Sequence, residues 1–177
     1  MSGEYALELR RAMKILADDP RTYFVGQAVR YPGTAMFATL EDVPMERRQE
    51  SPVAEDMQLG IAIGRSIYDG SIPVCLYPRW NFLGLAFSQL VHHLDKLPEY
   101  GNGYAPKVII RTAVATPYPM DPGPQHLGNY SKAFRELLRN VCVIELAYAN
   151  EIVPFYQRAL EIPDSSILVE YTGLYDA

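Results

Sequence analysis

The chain has 177 residues, 49% of them hydrophobic and 21% charged, which is the size and composition of one domain able to bury a core. A net charge of −5 gives no basic footprint, and this argues against a nucleic-acid partner. Glu4, Glu8, Arg10, Arg11 and Lys14 interrupt the amino-terminal apolar pattern, and the longest uncharged apolar stretch (80–91) is too short to span a bilayer, so neither a signal peptide nor a membrane span is expected.

Tyr5, Leu9, Ala12, Met13 and Leu16 recur at helical spacing and predict an opening helix that stops near Asp19-Pro20. Residues 22–25 read as a strand, and 47–50 as a short polar connection or an edge strand. A helix is expected over 53–68, broken at Asp69-Gly70, followed by a strand over 72–77. Asn81 is placed to cap a helix running to about Leu97. Strands are expected at 108–114, 141–147 and 167–171. A helix over 130–139 and another to Leu160, capped by Asn150, separate the last three. The strand runs, such as Val108-Ile109-Ile110 and Val141-Cys142-Val143-Ile144, are continuously apolar rather than alternating. Strands of that kind separated by helices predict an α/β fold with an open, mostly parallel sheet covered by helices on both faces.

Cys75 and Cys142 lie in apolar runs and read as buried strand residues of a protein in a reducing, cytoplasmic compartment, with no disulfide framework and no metal site. His92 and His93 are adjacent on a helix, so they point to different faces; one is expected to be exposed and the other packed. There is no dinucleotide fingerprint, P-loop or nucleophile elbow in the sequence. Phe82, Leu83, Leu85, Ala86, Phe87, Leu90, Val91 and Leu94 leave one helix little polar face. Such a helix is covered either by a second subunit or within its own chain.

Two loops carry chemistry. In Ser51-Pro52-Val53-Ala54-Glu55, Ser51 is a good N-cap and Pro52 suits the first helical position, which places Glu55 near the positive end of the helix dipole. Glu55 is then either an ordinary first-turn glutamate or a carboxylate held for chemistry. The second loop, 116–126, carries four prolines and ends in His126 just beyond a strand's carboxyl end, where open α/β sheets place ligands.

Several segments occur in a familiar order: Ser51-Pro52-Val53-Ala54-Glu55, Pro73-Val74-Cys75, Trp80-Asn81-Phe82, Val108-Ile109-Ile110-Arg111-Thr112, Gly123-Pro124-Gln125-His126 and Val141-Cys142-Val143. Together they resemble the pyrimidine-binding domain of transketolase-like thiamine diphosphate enzymes, closest to the β subunit of pyruvate and branched-chain 2-oxo acid dehydrogenases. The resemblance covers residues 20–171, with 1–19 as an added helix. It implies that Glu55 hydrogen-bonds a ring nitrogen of the cofactor's aminopyrimidine and activates it. It also implies that Phe82 stacks on the pyrimidine, that Val53 lines its pocket, and that His126 assists substrate chemistry. Thiamine diphosphate would be shared with a partner chain, because the Gly-Asp-Gly…Asn segment that grips magnesium and diphosphate is absent, as is the family's carboxyl-terminal domain. The implied protein is the pyrimidine-side subunit of a split enzyme acting on 2-oxo acids or ketose phosphates, as a homodimer or with an α-type subunit. The alternative is a non-catalytic relic that binds or regulates such an enzyme; a small decarboxylase of two subunits would share the chemistry. The sequence departs from the family in a proline-rich rather than glycine-rich loop before His126, in Leu127-Gly128 after it, and in Asp56, whose second negative charge would act on Glu55 if it pointed inward.

Overall fold

The computed structural model describes residues 3–118 and 121–176. Pro119 and Met120 of the proline-rich loop, and the first two positions of the expected 1–19 helix, lie outside the described residues.

The apolar runs form a six-stranded sheet: β1 (Thr22–Gly26), β2 (Arg48–Glu50), β3 (Ile72–Tyr77), β4 (Ile109–Val114), β5 (Val141–Glu145) and β6 (Ser165–Tyr171). The order is β2-β1-β3-β4-β6-β5 and every pairing is parallel. α1 (Glu4–Asp18) precedes the sheet, and the crossovers that parallel strands need carry α2 (Ala35–Ala38), α3 (Glu55–Asp69), α4 (Trp80–Leu85), α5 (Ser131–Leu137) and α6 (Ala149–Glu161). α1, α2 and α6 cover one face, packing Leu9, Met13, Met36 and Tyr156 on Phe24, Val74, Ile109 and Leu168. α3, α4 and α5 cover the other, packing Leu59, Leu83 and Phe134 on Val25, Cys75, Ile110 and Ile167. Alternate residues of each strand feed the two cores, which is why the runs read as unbroken apolar sequence.

The segment 47–50 is an edge strand. Its Arg48 is buried, and the guanidinium donates to the carbonyls of Val43, Val29 and Leu40. A second buried cation sits in the middle of the sheet. Arg111 on β4 and Glu170 on β6 are both fully buried, with Nε to Oε1 at 2.7 Å and Nη2 to Oε2 at 3.0 Å. Tyr156 and Tyr175 donate their hydroxyls to the same carboxylate, so the pair is hydrogen-bonded as well as neutralised.

Helix starts differ from the expectations. Ser51 does not cap α3: its amide donates to Gly26 O at 2.8 Å, continuing the β1–β2 pairing, so the chain is still leaving the sheet at that point. The helix begins at Glu55, with Ala54 as N-cap. Its end is as expected, with Gly70 in the left-handed conformation at φ 69°. Asn81 lies inside α4, not at its cap, and the expected helix to Leu97 breaks at Ala86 and continues as a π-helical segment over Gln89–Leu94. Asn150 likewise lies inside α6, whose N-cap is Tyr148. His92 and His93 are both exposed, because the wider π-type turn turns both outward while Leu90, Val91 and Leu94 fill the core. Most of that apolar helix is thus covered within the chain, although Leu85 is 63% exposed and Phe87 43%. Cys75 is buried in β3, Cys142 is half-buried in β5, and both are free thiols.

Candidate functional site

After β1 the chain turns outward to β2, and on its return it places β3 on the other side of β1. The sheet's switch point therefore lies between β1 and β3, and the crevice at their carboxyl ends is where open α/β sheets bind ligands. Gln58 spans this position from α3, its amide donating to Val25 O of β1 and Leu76 O of β3 at 3.2 and 3.3 Å. Gly26 pairs with Leu76 here, and a Cβ on it would meet Leu76 O at 2.7 Å, so only glycine permits this approach.

Glu55 stands at the first turn of α3, directly above that edge, and is only 7% exposed. The Gln27 amide donates to its Oε1 at 3.2 Å, and the Tyr77 hydroxyl, at the end of β3, donates to its backbone carbonyl at 3.1 Å. Glu55 Oε2 accepts no hydrogen bond among the described residues. Burial, with Cys75, Glu55 and Asp56 nearby, pushes the Tyr77 phenol well above its ordinary range, so it stays a donor. Asp56 turns to solvent, where Gln89 Nε2 donates to it at 3.4 Å.

Phe82 and His126 meet edge to face with ring centroids 5.4 Å apart. They share a cleft of about 680 Å³ with Pro78, Arg79, Pro122 and the 33–35 loop. His126 closes a short 3₁₀ turn, after an Asp121 side chain accepts from Gly123 N at 2.9 Å and Gly123 adopts φ 85°. Its Nδ1 lies 2.9 Å from Asn81 Oδ1, an acceptor, so Nδ1 carries the proton. Gln125 Nε2 then donates to His126 Nε2 at 3.0 Å. The loop that forms another wall is anchored by Glu50, whose carboxylate accepts from the amides of Ala28, Val29 and Arg30 at 2.6–3.0 Å. Ala28 adopts φ 54° to make that turn.

The structure therefore brings Phe82 and His126 into one cleft and puts Glu55 at the same end of the sheet, although Glu55 does not line that cleft. Val53 is not gathered in: it is 81% exposed, ahead of α3. Sequence reading missed Gln27, Asn81 as the partner of His126, and Arg79. The only signal for Arg79 was a cation amid the uncharged run that follows it.

The six-stranded, all-parallel sheet covered by helices is an α/β fold similar to that of thiamine diphosphate-binding, transketolase-like domains. Among solved structures, a split gene transketolase described as an inactive β4 tetramer superposes with a TM-score of 0.69 at 21% identity, over 93% of this chain and 50% of its own. The thiamine diphosphate-dependent 4-hydroxybenzoylformate decarboxylase of Rhodococcus jostii matches with a TM-score of 0.68 at 14% identity, over 96% and 31%. Transketolase of Campylobacter jejuni matches with 0.67 at 12% identity, over 93% and 25%. The chain thus spans half the length or less of these proteins. No family model matches it, and no curated protein does. Among the described residues no helix is long and apolar enough to cross a membrane, and no group of three or more His, Cys, Asp or Glu is placed to hold a metal ion.

Proposed function

We propose that this chain is a single pyrimidine-binding domain, one side of a divided thiamine diphosphate-dependent enzyme acting on 2-oxo acids or ketose phosphates. A second polypeptide would supply the diphosphate and magnesium site. The observation that carries the proposal is Glu55: a buried carboxylate at the switch point, with one oxygen held by Gln27 and the other without a protein partner. That arrangement suits a protonated ring nitrogen, whereas one carboxylate beside one amide has too few ligands for magnesium and no cation for a diphosphate. The bound cofactor would supply the electron sink for carbon–carbon bond chemistry.

In this role Glu55 shares the proton of the aminopyrimidine's ring nitrogen, carboxylate and ring nitrogen holding one hydrogen between them. Phe82 gives a flat apolar face. His126 has Nδ1 tied to Asn81, and its Nε2 becomes free to take a substrate proton once the exposed Gln125 amide swings away. Val53 contributes only if a partner covers it. A partner also accounts for the apolar side chains left exposed on α3 and the helix after β3, namely Met57, Ile61, Leu85 and Phe87. The free thiols suit a cytoplasmic location.

Calorimetric titration of thiamine diphosphate with magnesium, with and without the partner chain, tests the proposal. The lone chain is expected to bind weakly and the pair tightly. Glu55→Ala should weaken binding by the pair about tenfold or more, the loss of a hydrogen bond to a charged group. Tight binding by the lone chain, or indifference to Glu55→Ala, refutes it.

A further inference from the structure

Arg79 is half-buried beside Phe82 and His126, and it is the charged side chain in the wall of their cleft. Its Nη1 donates to Pro78 O at 2.7 Å. Among the described residues no carboxylate lies within ion-pair distance of it, and Nε and Nη2 have no protein acceptor. Arg47 and Arg48 also lack a carboxylate, but each donates to three backbone carbonyls where Arg79 donates to one. Arg10 is paired with Glu41 and Asp42, Arg21 with Asp19, Arg111 with Glu170 and Arg135 with Glu145. Partial burial opposes the charge of Arg79 and draws its pKa below the usual value, while Tyr175 acts in the other direction. Holding a desolvated cation without a counter-ion costs stability, and such a cost persists where a ligand supplies the missing charge.

The open Nε–Nη2 edge is the fork that accepts two oxygens of one carboxylate or phosphate. The cleft's size suits a small molecule. Among the described residues no Asp or Glu lines it to repel an anion. We infer that Arg79 recognises the oxyanion end of a small substrate, a carboxylate or a phosphate, and sets it against Phe82 and His126. That the anion is a substrate rests on the function proposed above; that the cleft binds an oxyanion does not.

Pyruvate and inorganic phosphate are titrated separately into the ¹⁵N-labelled chain, following the backbone amide resonances of Phe82 and His126 in every variant and the Arg79 Nε–H resonance in the wild type. The wild-type protein, Arg79→Met, Arg79→Lys and the surface control Arg11→Met are compared. Only the backbone carbonyl of Arg79 is used by α4, accepting from Phe82 and Leu83, so both variants should fold, as far-UV circular dichroism would verify. A saturable shift is expected with at least one anion, and the one that saturates identifies carboxylate or phosphate. Arg79→Met should weaken its affinity about tenfold or more, Arg79→Lys should recover part of it, and Arg11→Met should bind normally. No saturable shift with either anion, or wild-type affinity in Arg79→Met, overturns the inference. A third titration uses thiamine diphosphate with magnesium; a defect of Arg79→Met confined to that arm makes the residue a ligand of the cofactor's tail and also overturns it. Failure of the Glu55 assignment would show only in the cofactor titration of Glu55→Ala and would leave the anion result standing.

Discussion

Arg111→Met removes the cation from the centre of the sheet while retaining most of its volume. Glu170 is 0% exposed and then keeps only the hydroxyls of Tyr156 and Tyr175, having lost two charge-assisted bonds at 2.7 and 3.0 Å. Thr39 loses its Nη2 donor at 3.1 Å as well. Removing one partner of a buried ion pair costs about 3–5 kcal/mol, because the other charge is left uncompensated. In a chain of this size each kcal/mol lowers Tm by about 2–4 °C, so a fall of roughly 6–20 °C is expected. Urea denaturation followed by circular dichroism measures the free energy. The double variant Arg111→Met/Glu170→Gln removes both charges and should recover much of the loss. If Arg111→Met costs less than about 1 kcal/mol, or the double variant is no better, the pair does not hold the sheet in the way its geometry implies.

Gly26→Ala should destabilise the fold by about 2 kcal/mol, since the added Cβ meets backbone rather than a movable side chain; thermal melting measures it. Asp95 is fully buried, and although burial alone would raise its pKa, Lys96 and the amides of Asn140 and Arg139 hold it below 3.8. A depressed folded pKa gives stability that is present above the unfolded value and is lost as pH falls through the folded one. Asp95→Asn should therefore flatten the acid limb of the stability–pH curve below about pH 4, and an unchanged limb would count against the assignment. Asn81→Ala should leave His126 as a mixture of tautomers, read from its imidazole ¹⁵N shifts, where the wild type shows the Nδ1–H form.

Much of the fold was legible because β3 and β4 are buried on both faces, and two-sided burial writes an unbroken apolar run. Polar residues in the same strands hid their role. Arg111 and Glu170 are 59 residues apart, and their cost as buried charges is offset only once β4 and β6 lie side by side. α2 is a single turn, too short to show a period. The Ser51 cap failed because capping chemistry is local whereas the sheet held its amide. Glu55, Phe82 and His126 were singled out by their order along the chain. Arg79, Asn81 and Gln27 take their meaning from loops that return to the switch point, which local sequence does not record.

β6 follows every other strand in the chain yet sits inside the sheet, between β4 and β5. As the polypeptide emerges from the ribosome, β4 must wait with a raw edge and β5 with no neighbour at all. Arg111 waits too, a cation whose mate lies on the last strand to join the sheet. Assembly is thus gated by the arrival of 165–171, and a product stalled before that point would present a sticky apolar edge for chaperones to guard.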